Sequence, residues 1–218
     1  MYDSDDNLES DSLMAARFRG YLPVVVDIES GGFNAKTDAI LEIAAVILGM
    51  NEKSVMAIEQ TSFHRVIPFE GANIEEAALK FTGIDPWHPL RIARGEKDVF
   101  NDLFKVIRTA MKANGCKRAI LVAHNAHFDH GFINAAVARH DLKRNPFHPF
   151  SSFDTATLSG LAYGQTVLAR ACEAAGISFD NKEAHSAKYD AEKTAQLFCK
   201  IVNRWQAMGG WPVNQGHH

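Results

Sequence analysis

Up to about residue 67 the apolar positions come in short β-branched runs. Beyond it they recur at helical spacing, with one further strand-like run. YLPVVVDI, from Tyr21 to Ile28, is bounded by Pro and Gly and predicts a buried strand. AILEIAAVIL, from Ala39 to Leu48, predicts a second, apolar except for Glu42. TSFHRVI, from Thr61 to Ile67, alternates and predicts a third. IEEAALKF, from Ile74 to Phe81, has a helical composition and is stopped by Gly83 and Pro86.

A long helix is predicted from about Val99 to Asn114, ended by Gly115. RAILVAH, from Arg118 to His124, predicts a fourth strand, with a helix following through HFDHGFINAAVARH. Pro146 and Pro149 exclude a helix between Lys143 and Phe150, and a short fifth strand is predicted near Ser152. Asp154 suits the N-cap of a helix over TATLSGLAYG. Further helices are predicted over about Gln165–Ala175 and Ala187–Met208. Strands at hairpin spacing, then alternating helices and strands, define an α/β chain with a mixed sheet and helices on its faces.

Composition changes this picture little. With 218 residues, 46% of them hydrophobic, the chain suits one large domain better than two small ones. The net charge of −3 gives no reason to expect a nucleic-acid partner. That average hides a polarity, because the first twelve residues hold five acids and no base, leaving 21 acids against 23 bases. Residues 1–12 are expected to form an acidic disordered tail, and residues 13–218 a single domain. Cys116, Cys172 and Cys199 are odd in number and widely spaced, which suggests neither disulfides nor a cysteine zinc site. No signal peptide opens the chain, and the longest apolar stretch, AAVILGM, is too short for a bilayer. A cytoplasmic protein with no membrane partner is expected. The closing Gly-His-His is assigned no function, whether native or tag.

Asp27 and Glu29 do change the picture. Alternation puts both carboxylates on one face at the end of a buried strand, while Ile28 points the other way. There they repel unless a cation lies between them, and Mg²⁺ favours such oxygen donors. Alone, Asp-x-Glu also fits a solvated strand end. Two further pieces strengthen the metal reading. HNAHFDH places Asp129 one helical turn past Asn125, and AHSAKYDAEKTAQLF places His185 before the last helix and Asp190 in its first turn. On one helix, His185 and Asp190 would lie about 140° apart, so His185 belongs on the loop. Four acids and a loop histidine suit phosphodiester hydrolysis. Two Mg²⁺ about 4 Å apart would clamp the phosphate, and a histidine titrating near neutrality can take the proton of the attacking water.

Asp-x-Glu, then Asp, then His-x-x-x-x-Asp, in this order, resembles the DEDDh exonuclease family. The resemblance implies a ribonuclease-H-like fold, a five-stranded mixed sheet flanked by helices. It implies 3′→5′ hydrolysis with two Mg²⁺, which Mn²⁺ can replace. Asp27, Glu29, Asp129 and Asp190 would be the ligands and His185 the general base. FRGYLPVVVD, FDHGF, LKRNPFHPF, FDTATL, GQTVL and FCKIVNRW narrow the likeness to a bacterial RNA-trimming branch, from about Arg17 to Trp211. That branch implies trimming of the 3′ ends of tRNA, rRNA precursors and other stable RNAs, with single-stranded DNA as a further substrate class. It also implies stacking of the terminal bases on Phe33, Phe81, Phe128 and Phe150. A homodimer is implied too, in which a basic patch serves the partner's site; the patch carries over to Arg17, Arg19, Lys112, Arg118 and Lys143. In one respect the chain departs from the branch: a glutamate expected four residues before Phe81 is Ala77, with Glu76 beside it.

Each of these residues has a plainer alternative. Phenylalanine in an α/β protein is usually core, and Phe81 at the end of an amphipathic helix reads so. Phe33, turned out by Gly31-Gly32, and Phe150, after a proline-rich loop, are awkward core anchors. The basic residues also read as solvated surface charge. His124, His127 and His130 suggest zinc by type, but their spacing spreads them around a helix. Asn125 fits either a helix cap or a site residue. A proofreading DNA exonuclease shares the constellation, and a binding module without turnover would have lost one of its acids.

Overall fold

The computed structural model describes residues 12–212; the acidic tail up to residue 11 and the Gly-His-His end lie outside them. Six strands form one sheet in the order β4-β3-β2-β1-β5-β6. They are β1 (Tyr21–Ser30), β2 (Ile40–Met50), β3 (Met56–Ile67), β4 (Arg94–Gly95), β5 (Arg118–Ala123) and β6 (Phe147–Asp154). β1, β2 and β3 form an antiparallel meander, and β5 and β6 add in parallel on the other side of β1. The mixed sheet follows the sequence expectation with one strand more. β4 has two residues paired to Val66 and Ile67, and a two-residue strand carries no hydrophobic period.

The helices are α1 (Leu13–Arg17), α2 (Glu76–Thr82), α3 (Glu96–Ala113), α4 (His127–Arg139), α5 (Thr155–Tyr163), α6 (Leu168–Ala174) and α7 (Ala187–Ala207). α1 has no counterpart in the sequence reading. It is one short turn capped by the Ser12 hydroxyl, with Met14 and Ala15 buried. α3 and α7 pack on the central strands. β1 is buried on both faces by Leu22, Val24, Val25, Val26 and Ile28, and β2 beside it is buried from Ile40 to Leu48. A core this complete leaves the polar residues at its strand ends little freedom of position.

β6 departs from a regular edge strand. Ala119 pairs with Phe147, yet Leu121 pairs with Ser152, so residues 148–151 bulge out of the ladder. Pro149, which has no amide to donate, sits in that bulge. The His148 Nδ1 accepts the amides of Phe150 and Ser151, satisfying the backbone that the bulge strands. Asp154 then ends β6 and caps two elements. It accepts Ala156 N–H at the start of α5, and Asn125 N–H and Ala126 N–H ahead of α4. Asn125 takes a left-handed backbone, φ 65°, to enter this arrangement.

Replacing Asp154 by Ala strands three amides at once. Asp154→Ala is expected to cost about 1–3 kcal/mol, with Asp154→Asn recovering part of it; urea denaturation measures both.

Candidate active site

Asp27 and Glu29 leave β1 on one face, as the alternation requires, beside Ala44 and Glu42 of β2. α4 brings Asp129 in its first turn, buried. α7 brings Asp190 in its first turn. The loop before α7 presents His185 in a left-handed backbone, φ 67°. Its amide donates to Asp190 Oδ2 at 3.0 Å, which locks loop to helix. Five residues from four elements thus converge at the C-terminal end of β1.

Donor atoms of Glu29, His185 and Asp190 all lie within 4.8 Å of one another. The remaining oxygen, Asp190 Oδ1, is buried with no hydrogen-bond partner. Burial lifts the Asp27 pKa well above the carboxylate range, and the charges of Asp129, Glu29 and Asp190 push it further. Burial, then Asp190 and Glu42, raise Glu29 to about 8. Burial raises Asp129 and Asp190 as well. An all-carboxylate set that resists ionising, with one unpartnered oxygen, fits a hard divalent cation. His124, His127 and His130 form no such group among the described residues. His124 is committed to the Thr155 hydroxyl and the Thr166 carbonyl.

The phenylalanines divide. Phe33 is 86% exposed, Phe150 80% and Phe81 66%, so the core alternative for Phe81 fails. The Phe81 ring lies 4.1 Å from the His185 ring, centre to centre. Phe33 meets Phe128 edge-on at 6.2 Å, and Phe128 rests on core Phe132. Phe150 rides on the β6 bulge against His148, apart from these pairs.

The loop bearing Phe33 is held rigidly. Buried Asp38 accepts Asn34 N–H, the Thr37 hydroxyl and the Asn73 amide. Burial acts to raise the Asp38 pKa, and these three donors outweigh it and lower it. Gly31 and Gly32 are needed here for close approach and not for their backbone angles, since neither has a positive φ. A Cβ on Gly32 would lie 2.1 Å from Asp38 Oδ2. The next acid near Gly32 is Glu75, not Glu76, which opens α2.

One set of supports escaped the sequence reading. Arg139, at the end of α4, donates to buried Glu96 at 2.6 Å and to the Ala35 carbonyl, and lies 3.7 Å over Phe69. It ties the Phe33 loop to α3 and α4. Its only sequence signal was an acid, Glu96, opening a helix.

The basic residues lie elsewhere, on several elements. Arg118 pairs with Tyr21 at the first residue of β1, and Arg17 and Arg19 immediately precede that strand. Lys112 lies in the last turn of α3. Lys143 pairs with Asp141 on the loop before β6. Arg17 stacks on Trp211 at 4.4 Å, with its pKa lowered by burial. Tyr21 is six residues from Asp27, about 20 Å along an extended strand.

Comparison with known proteins agrees with this geometry. An exonuclease family profile of the ribonuclease T type matches residues 24–198. The fold is shared with Escherichia coli Exonuclease I in complex with a dT13 oligonucleotide, TM-score 0.66 and 15% identity over 88% of this chain; this chain spans 43% of that longer one. It is shared too with the nuclease domain of 3′hExo, a DEDDh family member bound to rAMP, TM-score 0.61 and 19% identity, covering 86% and 92%. The chain belongs to the ribonuclease T exonuclease family, hydrolases that work with divalent metals. Among its relatives is Ribonuclease T of Hahella chejuensis, 64% identical over 204 residues, 94% of each chain. No helix among the described residues is long and apolar enough to cross a membrane.

The raised carboxyl pKa values give a pH prediction for metal-free protein. Groups with raised folded pKa values stabilise fully below the ordinary carboxylate range, and that contribution is lost as pH rises through the folded value. Melting temperature in EDTA is therefore expected to fall between about pH 5 and pH 8, by about 2–4 °C per kcal/mol lost. Glu29→Gln should flatten the slope, and a divalent cation should oppose it. A flat profile in EDTA would remove the electrostatic account of the site.

Proposed function

We propose that the chain is a Mg²⁺-dependent 3′→5′ exoribonuclease that trims the ends of tRNA and other stable RNAs. The product is a nucleoside 5′-monophosphate. The observation that carries this reading is the meeting of Glu29, His185 and Asp190 within 4.8 Å beside Asp27 and Asp129. In this reading Asp27, Glu29, Asp129 and Asp190 hold two Mg²⁺, which Mn²⁺ can replace. Bound there, the ions activate the attacking water and neutralise charge on the departing 3′-oxygen.

The chain's own residues do the rest. His185 stands exposed on its loop, within reach of water and beside the acids. Its imidazole takes the proton of the attacking water at neutral pH. The Asp190 carboxylate holds the His185 backbone amide and so fixes where the ring can go. The Phe81 ring against His185 places the terminal base beside the proton acceptor. Phe33 and Phe128 grip from the β1 and α4 side, and Phe150 from the β6 bulge. Base stacking contributes roughly 1–3 kcal/mol per base whatever the sequence, which suits an enzyme that reads ends.

The basic patch lies at the wrong end of β1 to serve its own site. About 20 Å along the strand separates Arg118 and its neighbours from the acids. A homodimer that sets one subunit's patch beside the other's acids resolves this. Arg17, Arg19, Lys112, Arg118 and Lys143 would then contact the RNA backbone upstream of the end being cut.

A 3′-labelled tRNA with Mg²⁺ tests the activity. Wild-type protein is expected to release labelled nucleoside 5′-monophosphate, and Asp27→Ala to lose at least about 10³-fold in rate. Equal release by both would overturn the assignment, and matched DNA ends would measure the sugar preference. For the dimer, Lys112→Ala with Arg118→Ala is mixed with Asp27→Ala. Partial recovery of activity is expected; mixed dimers that form without any recovery would exclude action across the interface.

A further inference from the structure

The Phe33, Phe128 and Phe81 rings ride on three separate pieces of chain: the loop after β1, the first turn of α4, and α2. A base held between such rings is held only as well as those pieces keep their spacing. Backbone hydrogen bonds join the Phe33 loop to the segment ahead of α2. Glu75 N–H donates to the Gly31 carbonyl, Asn73 N–H to the Thr37 carbonyl and Ala39 N–H to the Asn73 carbonyl. α4 meets the same loop where Gly131 faces Ala35, and a Cβ on Gly131 would lie 3.7 Å from the Ala35 Cβ. That contact is apolar and sets no direction, so by itself it lets the loop slide along α4.

Arg139 removes this freedom. From the last turn of α4 its guanidinium reaches both of the other pieces. Nη2 donates to the Ala35 carbonyl at 3.3 Å, two residues from Phe33. The group also lies 3.7 Å over the ring of Phe69, on the segment that runs from β3 into α2. Its aim is set from α3. Nη1 donates to Glu96 Oε2 at 2.6 Å, and His140 Nε2 lies 2.7 Å from the same oxygen. The Glu96 side chain is 2% exposed and that of Arg139 18%, which shelters this pair as a surface ion pair is not sheltered. We propose that Arg139, aimed by Glu96, is a positioning residue that sets the spacing of the base-stacking rings and so the hold on the 3′-terminal bases. Its partners are Glu96, Ala35 and Phe69, and none of them is an acid of the candidate site or His185. Its effect therefore falls on the binding of the end and not on the hydrolytic step.

This inference rests on the reading of Phe33, Phe81 and Phe128 as base-stacking residues. Arg139→Met combined with Glu96→Gln removes both charges together, so neither is left buried and unpaired. On single-stranded 3′-labelled RNA this double variant is expected to raise KM about tenfold, with kcat within about threefold of wild type. On the same RNA made abasic at its last two nucleotides, the double variant and wild type are expected to share one KM within about twofold. Phe33→Ala alone is expected to raise KM on intact RNA, and the triple variant to raise it by less than the product of the two rises. An unchanged KM on intact RNA would overturn the proposal. An equal rise on the abasic RNA, or a triple variant that shows the full product, would do the same. Where the double variant does not fold, Arg139→Lys decides, since it keeps the charge but cannot donate to Glu96 and Ala35 in the same fork. A raised KM on intact RNA alone is expected of it, and a wild-type KM overturns the proposal. Failure of the stacking reading shows separately, as a wild-type KM that is the same on intact and abasic RNA.

Discussion

Mutual repulsion among carboxylates at the end of β1 is the constraint around which the rest is arranged. Asp27, Glu29, Asp129 and Asp190 each raise the pKa of at least one of the others or have their own raised by burial. Such a cluster persists only where the surrounding structure fixes it. A backbone amide and a cation do part of this. The His185 amide holds Asp190, and Arg65 lies 3.5 Å from Glu42, which faces Glu29 across the ladder. The elements that carry the acids are set in turn by β1, buried on both faces, and by α7 packed on the meander. The hydrophobic core therefore stabilises the acid cluster indirectly, by making the repelling groups expensive to separate.

Charge is also sorted along β1. The acids occupy its C-terminal end, and Arg17, Arg19 and Arg118 surround its first residue. Attraction across about 20 Å of protein and water is largely screened at physiological salt. The two ends therefore need not collapse on one another, and each stays available to a ligand of its own. In the dimer reading proposed above, a polyanion that ends at one subunit's acids meets the other subunit's bases, and the separation of the two ends along β1 is what motivates that reading.

The sequence showed what depends on period and order. Strand alternation placed Asp27 and Glu29 on one face, and the helical pattern put Asp190 in a first turn with His185 outside it. Four of the six strands had apolar runs to announce them; β6 was expected only as a short strand near Ser152, and Arg94–Gly95 had no signal. What the sequence hid depends on partners far away along the chain. Glu42 was visible as the one acid in an apolar strand, but Arg65, which lies 3.5 Å from it, comes from the next strand. Arg139 carries no signal in its own sequence neighbourhood, because Glu96, Phe69 and Ala35, which surround it, come from elsewhere along the chain. Gly31 and Gly32 looked like turn residues, whereas the structure needs them because Asp38 leaves no room for a side chain.

Exposed aromatic rings pose the converse problem to buried acids. Water drives Phe33, Phe81 and Phe150 toward burial, at about 25 cal/mol for each Å² left exposed, and local collapse would hide them. Phe33 and Phe150 are kept out by polar devices acting on the backbone. Asp38 and Arg139 clamp the loop of Phe33, and His148 takes up the amides of the bulge that carries Phe150. Phe81 sits on α2, a helix without a buried residue, which ends at Gly83 in a left-handed cap. Phe128, the least exposed of the four, needs no such device because Phe132 supports it from the core. Buried charge held by an amide or a cation and exposed apolar rings held by polar clamps are the same device used in opposite senses. In both, a backbone fixed by the fold keeps a side chain where its own solvation would not leave it. A substrate end can relieve both strains together, its phosphate with bound cations at the acids and its bases on the rings.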